Sequence, residues 1–324
     1  MTATGGPVIT APGKLFLAGE YAVLGGAPAV LAAAGRTARG AFIPGLPPAT
    51  PIIATAFSAA QAALAARGLA LPPGAARVDT TTFAHAGTKL GLGSSAAATV
   101  VAVAAAFAHA GLDVAAERDL VRATADAAHR AAQAGVGSGA DVATSVFGGF
   151  LRFERAADDG GNARVTPVQP PADLNVVTFW TRSAARTTGF IAGVERFRRE
   201  NPQAHAERLA DLRAAAVAFD HAFAIGARQI VDAAATAHAA LVALGVDAAL
   251  PIVVPPVADA AALARTLGGA AKPSGAGGGD MGVAFFSEKD AASAFVARCP
   301  AEVLVLDIPL GVAGVRSLEA PGVS

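Results

Sequence analysis

Cysteine is almost missing. Cys299 alone among 324 residues excludes an intramolecular disulfide and any multi-cysteine metal site, and fits a reducing, cytoplasmic setting. Net charge is missing too: acidic and basic residues number 25 each. That balance argues against a dominant nucleic-acid or membrane-surface partner while leaving room for a local basic pocket. Met1–Thr10 carries neither the basic stretch nor the apolar core of a signal peptide. The most apolar run, Ala96–Ala110, is mostly alanine and shorter than the ~20 residues of a spanning helix. The histidines (His85, His109, His129, His205, His221, His238) show no paired metal-ligand spacing.

Lysine is the informative scarcity. There are four, Lys14, Lys89, Lys272 and Lys289, in a chain otherwise rich in arginine. Three of them sit in or beside glycine-rich segments. A compact ammonium reaches into a crowded phosphate site where a planar guanidinium does not fit. What remains is 53% apolar and 15% charged, the composition of a chain that buries a large core, in two ordinary domains or one large one.

Strands are predicted at Leu15–Ala18, Phe147–Phe153, Leu174–Trp180, Gly282–Phe286 and Glu302–Asp307. Helices are predicted at Thr55–Ala66, Ala96–Ala110 (apolar all round, hence buried), Val114–Gln133, Gly189–Glu200, Gln203–Ala224, Gly226–Leu244, Val257–Leu267 and Glu288–Arg298. Ala156–Asn162 reads as an exposed loop, and the proline-containing Val165–Asp173 as the domain boundary. That divides the chain into residues 1–170 and 171–324.

Three segments carry chemistry. Lys89 precedes Gly91-Leu92-Gly93-Ser94-Ser95-Ala96 and then the buried helix. Glycines let backbone approach a ligand, Ser94 can cap the helix, and the free N–H groups of the first turn form an anion site. A plain helix start explains the same residues. Gly91-x-Gly93-x-x-Ala96, with Asp113 further on, also matches a dinucleotide fingerprint in form, but no β-branched strand leads into it. Near the other end, Lys272-Pro-Ser274-Gly275-Ala276-Gly277 runs on to Gly279-Asp280. So many glycines would weaken any regular element and suit a loop that presents backbone to a ligand. Near the start, Ala11-Pro-Gly-Lys14 leads through a strand to Gly19-Glu20-Tyr21.

Together these segments resemble the three signature motifs of the GHMP kinases, in the family's order and spacing over essentially the whole chain. The resemblance implies an α+β fold of two domains: an N-terminal one with a left-handed βαβ unit and a C-terminal ferredoxin-like one, with the active site between them. It implies that the segment from Lys89 through Gly91, Leu92, Gly93, Ser94, Ser95 and Ala96 binds the phosphates of ATP, with Ser95 as a Mg2+ ligand. Lys14 and Asp141 would join Ser95 as catalytic residues, Lys14 bridging the transferred phosphoryl group and the acceptor. Glu20-Tyr21, Gly279-Asp280, and His129 with Gln133 and Gly137-Ser138 before Asp141 resemble the phosphomevalonate kinase branch, which makes 5-phosphomevalonate the expected acceptor and mevalonate the alternative.

Two departures from that pattern stand out. Arg182 replaces a glycine, and Arg186-Thr187 stands where a Ser-Thr pair is usual. Arg130 also occupies the place of the magnesium-binding glutamate of mevalonate kinases. The acceptor side would therefore draw on Lys14, Glu20, Tyr21, His129, Ser138, Asp141, Arg182, Arg186, Thr187, Lys272, Ser274, Gly275, Ala276 and Gly277. The expected partner is a small molecule, with no nucleic acid or membrane; a homodimer is left open.

Overall fold

The computed structural model describes residues 6–133, 135, 137–155, 163–184 and 187–318. Its first half is built on an antiparallel sheet of β1 (Val8–Ala18), β2 (Ala29–Pro44), β3 (Gly74–Asp79), β6 (Phe150–Glu154), β7 (Arg164–Val168) and β12 (Arg316–Leu318). The strands run in the order β12-β1-β2-β6-β7, and β3 pairs with the far end of β2. β2 manages this double pairing through its length: Ala29–Ala32 pair with β6 and Arg39–Pro44 with β3. A small hairpin of β4 (Ala84–His85) and β5 (Thr88–Lys89) stands apart.

Four helices cover one side: α1 (Pro51–Ala65), α2 (Ser94–His109), α3 (Arg118–Ala132) and α4 (Ala140–Phe147). Thr50 caps α1 by accepting the Ile53 N–H, with Pro51 at its first turn. α2 is buried from Ala96 to Phe107 apart from Ala98, packed between the sheet and the other helices. Its alanines allow that close packing on every side.

The second sheet has the order β11-β8-β10-β9, all antiparallel, from β8 (Asn175–Trp180), β9 (Ala270–Pro273), β10 (Met281–Phe286) and β11 (Leu304–Val305). Numbered within this half, that order is 4-1-3-2, as a ferredoxin-like domain has. Alternation along β10 serves two layers. Val283 and Phe285 face the main core with Phe219 of α6 (Pro202–Ala222) and Ile230 of α7 (Ala227–Asp247). Ala284 and Phe286 face the layer of α8 (Pro255–Thr266) and α9 (Lys289–Arg298), against Val257 and Phe295. α7 is long and apolar enough to cross a membrane by length and composition, but Ile230, Ala234, Leu241 and Leu244 are buried inside the protein.

The segment Val165–Asp173, expected to divide the chain, begins with an edge strand, β7, where Pro167 is tolerated because it lies at the sheet's rim. The second half does not stay apart, since β12 pairs with β1 and Leu310 bridges to Ala34. Residues 140–147 form a helix that was not expected, and the strand expected from Phe147 starts at Phe150. The loop expected at Ala156–Asn162 lies outside the described residues.

Phe285 is fully buried, with its ring 5.4 Å from that of Phe219. Phe285→Ala should therefore cost about 3–5 kcal/mol. The check is a lowered urea midpoint with unchanged slope.

Candidate active site

The residues of all three glycine-rich motifs meet in one cleft of about 840 Å3. β1 supplies Lys14 and Phe16, and the turn after it supplies Glu20 and Tyr21. The β4–β5 hairpin and the start of α2 supply Lys89, Gly91, Gly93, Ser94 and Ser95. His129, Ser138 and Asp141 come from α3 and the start of α4. Gly275, Ala276 and Asp280 close the cleft from the C-terminal half.

The loop into α2 is built by two left-handed glycines, Gly91 at φ 76° and Gly93 at φ 78°. Each also lacks room for a side chain. A Cβ on Gly93 would lie 3.0 Å from Lys14 Cγ, and one on Gly91 would lie 2.4 Å from Asp280 Cγ. Gly93, not Ser94, occupies the N-cap, so Ser94 is the first helical residue. The first intrahelical bond runs from Ala97 N–H to Gly93 O, which leaves the N–H groups of Ser94, Ser95 and Ala96 for an anion at the positive end of a 16-residue helix. Leu92 turns inward and is buried, and its carbonyl accepts the Lys14 N–H at 2.9 Å. That bond fixes the loop to β1.

Lys14 lies at the centre. Its Nζ donates to Gly91 O at 3.1 Å, and a Cβ on Gly275 would be 3.7 Å from that Nζ. One ammonium therefore bonds the loop at α2 and lies beside the loop of the third motif. Burial pulls it below the ordinary lysine value, while the negative charges of Asp141, Asp280 and Glu20 act in the opposite direction.

On the other wall Ser95 Oγ lies 3.1 Å from His129 Nε2, which is also 2.9 Å from Gln133 Nε2. Ser138 Oγ accepts the Ala140 N–H, and Asp141 Oδ1 accepts the Val142 N–H. Both contacts define the start of α4, so that short helix aims Asp141 at the cleft.

The matches to known proteins agree with this geometry. The model of the GHMP kinases N-terminal domain matches residues 54–149, and that of the GHMP kinases C-terminal domain matches residues 221–304. Together they span more than half the chain. The chain belongs to the GHMP kinase family. A phosphomevalonate kinase of Streptomyces sp. (strain CL190) is 28% identical to it over 342 residues, 85% of this chain and 88% of that protein. Among solved structures, a Lin0012 protein from Listeria innocua shares the fold at TM-score 0.85 and 23% identity, covering 97% of this chain and 99% of that one. A Streptococcus pneumoniae phosphomevalonate kinase in complex with phosphomevalonate and AMPPNP shares it at TM-score 0.81 and 20% identity, covering 94% and 99%.

Not every residue expected in the site of this GHMP kinase lies on the cleft. Lys272 is fully buried, its ammonium bonded to Glu20 Oε1 and donating to Pro273 O at 2.8 Å. Burial lowers it, and the charge and hydrogen bond of Glu20 oppose that shift. The acceptor contact expected of Lys272 is therefore corrected to an internal ion pair, which also takes up Glu20 although Glu20 borders the cleft. Ser274 is likewise buried, its Oγ accepting the Phe16 N–H at 2.9 Å. Gly277 backs onto Ile252, where a Cβ would lie 2.2 Å from a carbonyl oxygen. Ala96 is buried in α2.

Tyr21 hydroxyl donates to Ala276 O at 2.5 Å, and burial, followed by the Glu20 charge, keeps it protonated. Arg182 is exposed and lies off the cleft lining. Thr187 opens α5 (Thr187–Glu200), and Arg186 lies outside the described residues. Sequence reasoning missed the apolar wall of Val23, Leu24 and Ile191, for which no local signal exists.

Glu20→Gln would leave the Lys272 ammonium buried without its counter-charge and should destabilise the protein by about 3–5 kcal/mol at neutral pH. Part of that loss should return as pH rises. A lysine with a lowered folded-state pKa binds fewer protons folded than unfolded, so stability grows between the folded value and the ordinary one. Removing Glu20 drops the folded value further and widens that window downward. Urea midpoints of the variant at neutral and alkaline pH check both the sign and the size.

Proposed function

We propose that this GHMP kinase transfers the γ-phosphoryl group of ATP to 5-phosphomevalonate, giving 5-diphosphomevalonate and ADP in the mevalonate route to isoprenoids. The observation that carries the reading is the position of Lys14, bonded to the phosphate loop at Gly91 and facing the third-motif loop at Gly275 across the same cleft. The likeness to the Streptomyces phosphomevalonate kinase over most of both chains supports the choice of acceptor.

The chemistry asks for little beyond alignment and charge neutralisation. A phosphate monoester, with a second pKa of about 6, is already an anion at neutral pH. One of its oxygens attacks the γ-phosphorus, the bond to the β-bridging oxygen breaks, and ADP leaves with that electron pair. The first turn of α2 holds the nucleotide phosphates with backbone N–H groups, and Lys89 stands exposed at the cleft beside them. Lys14 sits between donor and acceptor, offsetting charge that shifts in the transition state. Asp141 orients the acceptor or Lys14.

No cluster of three or more His, Cys, Asp or Glu side chains suited to a metal occurs among the described residues. That suits Mg2+, which is commonly held by few protein groups with water and phosphate oxygens filling the rest. Here the Ser95 hydroxyl would be its protein ligand. Bound, the ion neutralises phosphate charge.

Mevalonate is the second reading, favoured by one observation: Asp141 lines the cleft, where a carboxylate would take the proton that a hydroxyl acceptor loses. ADP-release assays with the two acceptors side by side decide between them. Faster turnover of 5-phosphomevalonate is expected, and turnover of mevalonate alone would overturn the choice. Lys14→Met should lower kcat at least about 100-fold with little change in nucleotide affinity. A near-native rate would remove Lys14 from the mechanism.

A further inference from the structure

Asp280 stands where glycine would sit most easily. Its φ is 55°, in the left-handed region that penalises a side chain. The backbone is held there from two sides. Its N–H donates to Ser183 O at 2.9 Å, and its carbonyl accepts the Thr181 N–H at 3.1 Å and the Thr181 hydroxyl at 3.2 Å. The side chain reaches the phosphate loop, since a Cβ on Gly91 would lie 2.4 Å from Asp280 Cγ and 2.6 Å from Oδ2. Gly91 is also the residue whose carbonyl accepts from Lys14 Nζ. A carboxylate and an ammonium thus grip the same glycine, one at its Cα and one at its oxygen.

We infer that Asp280 is a positioning residue whose carboxylate, seated against Gly91, holds the Lys14 ammonium and the phosphate loop in register for transfer. The inference rests on the kinase reading above. Three carboxylates act on Lys14: Asp141, Asp280 and Glu20. Glu20 is bound to Lys272, so its charge is shared with a second ammonium. Asp280 and Asp141 also support the charge of Lys14 against burial. A left-handed, non-glycine residue persists where surrounding structure holds it, and such residues gather at functional sites.

Two variants test it. Asp280→Asn keeps the shape and removes the charge, and Asp280→Gly relaxes the backbone. Both should lower kcat at least about 20-fold while KM for ATP stays within about threefold. Asp280→Gly should melt at or above the wild-type temperature. Wild-type kcat in either variant would overturn the inference, as would a parallel fall of melting temperature and activity in both.

A second readout does not depend on turnover. The chain has four lysines, so reductive methylation followed by mass spectrometry resolves each one, with exposed Lys289 as reference. Asp280→Asn should raise the labelling rate of Lys14 relative to Lys289 at least about threefold, because a nearby carboxylate suppresses the free amine. An unchanged ratio would overturn the inference. A wild-type protein that phosphorylates no acceptor would sink the proposed function alone, leaving the labelling result to judge Asp280.

Discussion

The buried ion pair between Glu20 and Lys272 is the constraint on which the cleft depends. It joins the end of the first strand to the edge of the second sheet, 252 residues apart in sequence. Around it gather the Phe16 N–H to Ser274 bond and the Tyr21 hydroxyl to Ala276 bond. Three contacts therefore seat the glycine-rich loop of one half on the first strand of the other. Desolvating two charges is unfavourable in itself. What the pair supplies is register, because a shift of either segment would strand a charge. Lys14 meets two loops at once only while that seating holds.

Much of this was legible from residue types and spacing. The three glycine-rich motifs, the scarce lysines beside them and the buried alanine helix could all be read along the chain. The roles of individual lysines could not. Lys14 and Lys272 each lie close to glycines, and nothing local distinguishes an ammonium that faces a cleft from one sealed beneath it. That difference arises from Glu20, far away in sequence. Arg182 shows the converse: a cation in the right stretch that folding leaves on the outside.

β2 holds as a strand against its alanine content. Residues 29–34 of β2 read Ala-Val-Leu-Ala-Ala-Ala, a composition that favours helix in isolation. The strand forms because both of its edges are paired and its face is covered by α2. Tertiary context outweighs propensity there. The short helix carrying Asp141 was missed. Eight residues behind a run of glycines offer too few turns for periodicity to register.

The main core contains Ile9 and Leu15 from the first strand together with Phe219, Ile230 and Phe285 from the second half. The last strand then returns to pair with the first. Beyond the second half's own layer around Phe286 and Phe295, the two sheets share one apolar interior. Unfolding the second half would expose Ile9 and Leu15 of the first strand, which couples the melting of the two halves. The cleft would accordingly admit and release ligands through adjustments of the surrounding loops, without the two halves swinging apart as hinged shells.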